Sequence, residues 1–168
     1  MELLHKKMTD EIIKTFYDVY NELGCGFLEK VYQNALYIEL KSRGFKVEAQ
    51  KQIKVNYKSC IVGEYYADLI INDTIILELK VSEFIIPDHE FQLINYLKAT
   101  NIEVGLLLNF GIKPEFRRKV FENNRKKLIE RGWLNFRFHN RFCIQFENPQ
   151  YQTDNDYQYL VIDKDFWV

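Results

Sequence analysis

The chain has 168 residues, the length of one ordinary domain with room for a small appendage. Hydrophobic residues make up 47% and charged residues 28%, which excludes a disordered polymer, and there is no apolar run of about eighteen residues that could span a membrane. A net charge of −1 excludes a global attraction for nucleic acid, so any phosphate binding has to come from a local basic face.

The N-terminal stretch MELLHKKMTDEIIK lacks the apolar core and cleavage site of a signal peptide. Cys25, Cys60 and Cys143 are far apart and form no CxxC pair, so neither a disulfide framework nor a zinc site is indicated. A reducing cytoplasm is the expected compartment.

Residues 8–23 place Ile12, Phe16, Val19 and Leu23 at helical intervals, with Thr9 or Asp10 as the expected cap. Gly24 and Gly26 break this helix, and a second is expected from Leu28 to Ser42, ended by Gly44. The period then shortens. Phe45 to Tyr57 reads as a strand with an irregular middle, and residues 61–71 and 75–81 as two more strands joined at Asn72-Asp73-Thr74. Pro87 opens a third helix that runs to about Thr100, and residues 103–109 form a buried strand. Residues 114–131 read as a basic helix. The remainder, which includes Trp133, Phe136, Phe138, Phe142 and Trp167, reads as a hairpin and one more strand. Helix, helix, three strands, helix and strand in that order give a mixed sheet flanked by helices, of α/β (α+β) class. A core over residues 1–112 is expected, with residues 113–168 as a basic helix and an aromatic-rich β extension packed on it.

In the strand IILELKV, Ile76, Glu78 and Lys80 share one face, and Leu77, Leu79 and Val81 the other. If three residues form the preceding turn, Asp68 lies directly opposite Glu78, with the two Cβ atoms about 5 Å apart. A two-residue turn would put Asp68 on the other face. Two carboxylates so placed repel unless a cation sits between them, and hard oxygen ligands suit Mg²⁺ or Mn²⁺. A neighbouring lysine can orient or help deprotonate an attacking water, or neutralise charge on a phosphate. By itself, Glu-Leu-Lys on a strand is common and reads first as a solvated face with a weak ion pair. Two helix residues add to it. Glu29 stands in a first helical turn, where the bland reading is a helix-dipole glutamate. Gln92 and Tyr96 stand at i and i+4 on an otherwise apolar helix, where a glutamine needs partners if it is buried.

Together these segments resemble the PD-(D/E)XK nuclease superfamily, and within it the small bacterial GxxExxY family. Gly26-Phe27-Leu28-Glu29-Lys30-Val31-Tyr32 matches that family's name motif. Asp68 and then Glu78-Leu79-Lys80 resemble its D…ExK core, Gln92 to Tyr96 the Q-x-x-x-Y helix motif of exonuclease modules, and Leu106 to Gly111 its closing strand. Ala67 stands where the superfamily's naming proline would be. The resemblance covers about residues 8–118 and implies an αβββαβ core. It also implies Asp68, Glu78 and Glu29 as metal ligands, Lys80 and Gln92 beside Asp68 and Glu78 as catalytic residues, and Tyr32 and Tyr96 in support.

The function expected from this reading is Mg²⁺- or Mn²⁺-dependent hydrolysis of a phosphodiester, with DNA ahead of RNA as substrate and no membrane partner. Arg117, Arg118, Arg125 and Lys126 are expected to hold the nucleic-acid backbone without reading sequence. The alternatives are a catalytically silent nucleic-acid-binding module of the same fold, or a protein-interaction domain that uses the aromatic tail.

Overall fold

In the computed structural model the chain divides into two units, Met1–Arg131 and Gly132–Val168. The structure describes residues 3–57 and 60–130, with side chains through Lys126. The expected β extension and its aromatic residues lie outside the described residues.

Helix α1 (Lys6–Leu23) buries Ile12, Phe16 and Val19 along one stripe, as their spacing requires. It starts earlier than expected, and neither Thr9 nor Asp10 caps it. Thr9 Oγ1 donates to the Lys6 carbonyl at 2.8 Å inside the first turn, and Asp10 pairs with Lys6. Gly24, with φ 71°, ends the helix, and its N–H bonds the Tyr20 carbonyl. Helix α2 (Glu29–Ser42) buries Tyr32, Gln33, Leu36 and Leu40, and Gly44 follows it at φ 85°.

Three antiparallel strands come next: β1 (Val47–Tyr57), β2 (Cys60–Ile71) and β3 (Ile75–Lys80). The β2–β3 turn has three residues. Asn72 and Asp73 both adopt left-handed backbone, at φ 50° and 53°, and the Thr74 N–H closes on the Ile71 carbonyl at 2.9 Å. The irregular middle expected in β1 is Gln50, also left-handed at φ 51°. Helix α3 (Pro87–Ala99) crosses over to β4 (Val104–Phe110), which runs parallel to β3.

The segment expected as one basic helix is a strand and a short helix. Strand β5 (Pro114–Val120) pairs antiparallel with β4, and α4 (Asn123–Glu130) follows. The charge run hid a strand whose Pro114, Phe116 and Val120 line up against Phe110, Leu108 and Val104. This strand therefore belongs to the sheet and not to an appendage. The sheet order is β1-β2-β3-β4-β5.

Helices α1 and α2 cover one face through Ile12, Phe16, Leu36, Leu69, Leu77, Leu79 and Leu108. Helix α3 covers the other through Leu93, Leu97, Ile76 and Leu107. It comes close because Gly105 lacks a side chain: a Cβ there would lie 2.6 Å from Leu93 Cδ1. Alternation along β3 sends Leu77 and Leu79 toward α1 and α2, which leaves Glu78 and Lys80 on the face of α3.

Candidate active site

The site opens where two strands part. Strands β2 and β3 pair from Ile71↔Ile75 to Leu69↔Leu77 and no further. Continuing that register sets Asp68 opposite Glu78, the arrangement that a three-residue turn predicts. Asp68 uses its side chain where the ladder stops. Its Oδ2 accepts the Leu79 backbone N–H at 2.8 Å, and its Oδ1 accepts the Gln50 side-chain amide at 3.2 Å. Its own carbonyl accepts the Gln33 amide at 2.8 Å, and Lys30 Nζ in turn donates to Gln33 Oε1. Helix α2 and the left-handed residue of β1 thus both fix Asp68.

Glu78 is 2% exposed. Its Oε1 accepts a hydrogen bond from Lys80 Nζ at 2.5 Å, while Oε2 is buried and has no partner among the described residues. Desolvation, with Asp68 second, pushes the Glu78 carboxyl up to about 7 despite the Lys80 charge. Glu29, at the start of α2, is also raised. Burial is the main cause there, Lys80 opposes it and Asp68 adds to it, so Glu29 is near enough for both charges to act on it.

From α3, the Gln92 side-chain amide donates to the Tyr96 hydroxyl at 2.6 Å. Burial raises Tyr96 to about 12, the bond from Gln92 opposes this, and the Glu78 and Asp68 charges add to it. His89, one turn before Gln92, has a lowered pKa, first through burial and then through Lys80. Asp68 of β2, Glu78 and Lys80 of β3 and Glu29 of α2 thus act on one another electrostatically, and Gln92 of α3 is tied to Tyr96, which feels both Asp68 and Glu78.

Tyr32 acts at a distance from this group. Its hydroxyl donates to the Gly24 carbonyl at 2.7 Å and accepts the Phe27 N–H at 3.3 Å, and its ring stacks on Phe110 with centroids 4.3 Å apart. It clamps the loop that delivers Glu29, one helical turn away. Gly26 in that loop sits at φ 110°, a backbone that favours glycine.

The four basic residues are placed differently. Arg117 pairs with Leu107 and Arg118 with Leu106, so their side chains leave opposite faces of β5. Arg117 lies 3.8 Å from both Glu90 and Glu115, and Arg118 donates to the Leu4 carbonyl at 2.6 Å. Lys126 Nζ donates to the carbonyls of Thr100 and Ile102 beyond the end of α3, while Arg125 is exposed. The structure does not bring them together as one patch.

Sequence reasoning missed Gln50, Gln33 and Asn109. Gln33 stands at i+4 from Glu29, which put it on the inward stripe. Asn109 is fully buried opposite Lys80, accepts the Ser82 N–H and hydroxyl, and donates to the Ser82 carbonyl. A buried asparagine in an apolar strand is itself a signal, because its polar groups need partners.

Among the described residues, no group of three or more His, Cys, Asp or Glu is gathered closely enough to hold a metal ion. Asp68 still acts on Glu78, whose Oε2 is buried without a partner, and carboxylate oxygens are hard donors of the kind a divalent cation suits.

A mixed sheet with helices on both faces, and carboxylates where two of its strands part, defines a nuclease-like fold. Residues 6–119 match the PD-(D/E)XK nuclease superfamily, and the chain belongs to it. A comparison with curated proteins finds no match. Among solved structures, the chain is similar to one titled "Crystal structure of SSO0001", with 18% identity and a TM-score of 0.40. That match covers 68% of this chain and 65% of the other.

Proposed function

We propose that the chain is a divalent-metal-dependent nuclease, with DNA ahead of RNA as substrate, and that it falls in the GxxExxY group through Gly26, Glu29 and Tyr32. The observation that carries the reading is the convergence of Asp68 and the buried Glu78, with Lys80 bonded to the second carboxylate. Burying a carboxylate against another is costly for a fold and useful to a metal site.

Asp68 and Glu78 would hold the cation, with Glu29 as a further ligand. When bound, the cation supplies positive charge to the phosphate oxygens. Lys80 lies beside Glu78 and can turn its ammonium toward the phosphate as charge develops there, or hold the attacking water. The water oxygen bonds to phosphorus as the P–O bond to the leaving nucleotide breaks, and the proton the water gives up is returned to the departing oxygen through solvent. Gln92, held by Tyr96, orients the water or the strand.

The test is cleavage by purified protein in Mg²⁺ or Mn²⁺. Glu78→Gln and Lys80→Ala should each lower the rate about a hundred- to a thousandfold, the usual loss for one electrostatic contact at a reacting centre. If linear, nicked and single-stranded DNA and RNA all stay intact at saturating Mn²⁺, a silent binding module replaces this reading.

A further inference from the structure

The hairpin β1–β2 outruns the sheet. Pairing between β2 and β3 ends at Leu69↔Leu77, but pairing between β1 and β2 continues to Tyr57↔Cys60. The distal half is therefore a two-stranded arm that projects beside the carboxylates. Tyr65 lies on it, opposite Ile53 and on the same face as Ala67, which packs with Leu93 and Tyr96 of α3. Its ring meets the Tyr96 ring at a centroid distance of 5.4 Å and an angle of 47°. It is nonetheless 38% exposed, and among the described residues no hydrogen bond holds its hydroxyl. Tyr20 and Tyr32, by contrast, spend their hydroxyls on backbone carbonyls.

We propose that Tyr65 is a stacking platform for an unpaired nucleobase, so that the site takes single-stranded or frayed nucleic acid and not intact duplex. The proposal rests on the nuclease reading for the nature of the polymer and adds the strand state. Two observations separate the two states. Lys80 is engaged by Glu78, Lys119 by Glu90 and Lys30 by Gln33, and Arg117 lies 3.8 Å from Glu90, while Lys54 is the exposed lysine on the described part of the arm. A duplex shows a binding surface mainly its phosphates and requires free cations, whereas a single strand also shows apolar base faces. The surroundings of the site supply the matching chemistry. Leu28 just before Glu29 and Phe91 just before Gln92 are exposed, and Tyr66 is exposed on the opposite face of the arm from Tyr65. A base stacked on Tyr65 would also be one ring away from Gln92, because Tyr96 touches both.

The experiment is an anisotropy titration of the full chain in Ca²⁺, with probe integrity checked on a gel. The probes are a fluorescein-labelled DNA single strand of mixed sequence and a blunt duplex of the same sequence. The single strand should bind at least tenfold tighter. Tyr65→Ala should lose about tenfold on the single strand, the size of one base–aromatic stack, while Tyr65→Phe keeps wild-type affinity. Equal or tighter duplex binding, an unaffected Tyr65→Ala, or a Tyr65→Phe as weak as alanine would each overturn the proposal. Should Tyr65→Ala not fold, a 5-iodouracil strand photo-cross-linked to wild-type protein decides: adducts at Tyr65 support the platform, and adducts only elsewhere remove it. Binding with this preference but no cutting in Mn²⁺ would sink the nuclease reading alone, and efficient cutting of intact duplex would sink this inference alone.

Discussion

The carboxylate of Asp68 stands in for a missing strand partner of Leu79, accepting its backbone N–H at 2.8 Å where β2 has already turned away from β3. One side chain thus closes the backbone ladder and lines the candidate metal site.

This double duty separates two substitutions. Asp68→Asn keeps an acceptor for Leu79 but loses the charge. Asp68→Ala leaves that N–H without a partner, which costs about 1–3 kcal/mol. Urea denaturation should show Asp68→Ala clearly less stable than Asp68→Asn, with both inactive as nucleases. Equal midpoints would mean that water or a shifted backbone replaces the carboxylate.

Glu78 predicts a pH dependence. Its folded-state pKa of about 7 lies above its ordinary value of 4.5. Between those values the folded protein binds more protons at this group than the unfolded chain does, so stability falls as pH rises through the window. The full penalty applies above about pH 7 and vanishes below about 4.5. A shift of this size corresponds to about 3 kcal/mol. Glu78→Gln removes the group. In EDTA the variant should therefore match wild type near pH 4.5 and exceed it near pH 8, measured by urea unfolding at both. A variant less stable than wild type at pH 8 would show that the bond to Lys80 outweighs desolvation. The burial of Glu78 also corrects the view of Glu-Leu-Lys as a solvated face.

Arg117 and Arg118 emerge on opposite faces of β5, so a single duplex contacts at most one of them. Neutralising both should flatten the slope of log affinity against log salt by no more than about one unit. A loss of about two units in a salt titration would place both on phosphates and contradict the alternation.

Gly111 packs against the loop after β3. A Cβ there would lie 2.1 Å from the Ser82 carbonyl oxygen, a backbone atom that cannot simply swing aside. Gly111→Ala should cost about 1–3 kcal/mol, as forced overpacking does, and should displace the segment that joins Lys80 to α3. Thermal unfolding reads the first effect, and amide exchange at Ser82 the second.

The placement of Asp68, Glu78 and Lys80 was legible because it depends on period and turn length. Three turn residues set Asp68 against Glu78, and alternation put Lys80 beside it. Glu29 and Gln92 came from motif spacing, which the structure explains through the Tyr32 clamp and the Tyr96 bond. Gln50 was not legible, since left-handed backbone at a glutamine leaves no mark in composition. Strand β5 was hidden because its sheet-facing residues alternate with charges that look helical. Arg118 and Lys126 look like phosphate binders in sequence, yet each caps carbonyls made available by distant segments, Leu4 in one case and Thr100 and Ile102 in the other.

Strand β3 carries Glu78 and Lys80 but runs parallel to β4, with Lys80 paired to Asn109. During synthesis, a nascent chain that has emerged only as far as Ala99 holds Glu29, Asp68, Glu78, Lys80 and Gln92 and lacks the strand on which β3 leans. The proposed centre is therefore expected to form only once β4 has joined the sheet, after the residues proposed for it have left the ribosome. A fragment ending at Ala99 should show no metal-dependent protection from proteolysis, and its presence there would refute this order of assembly.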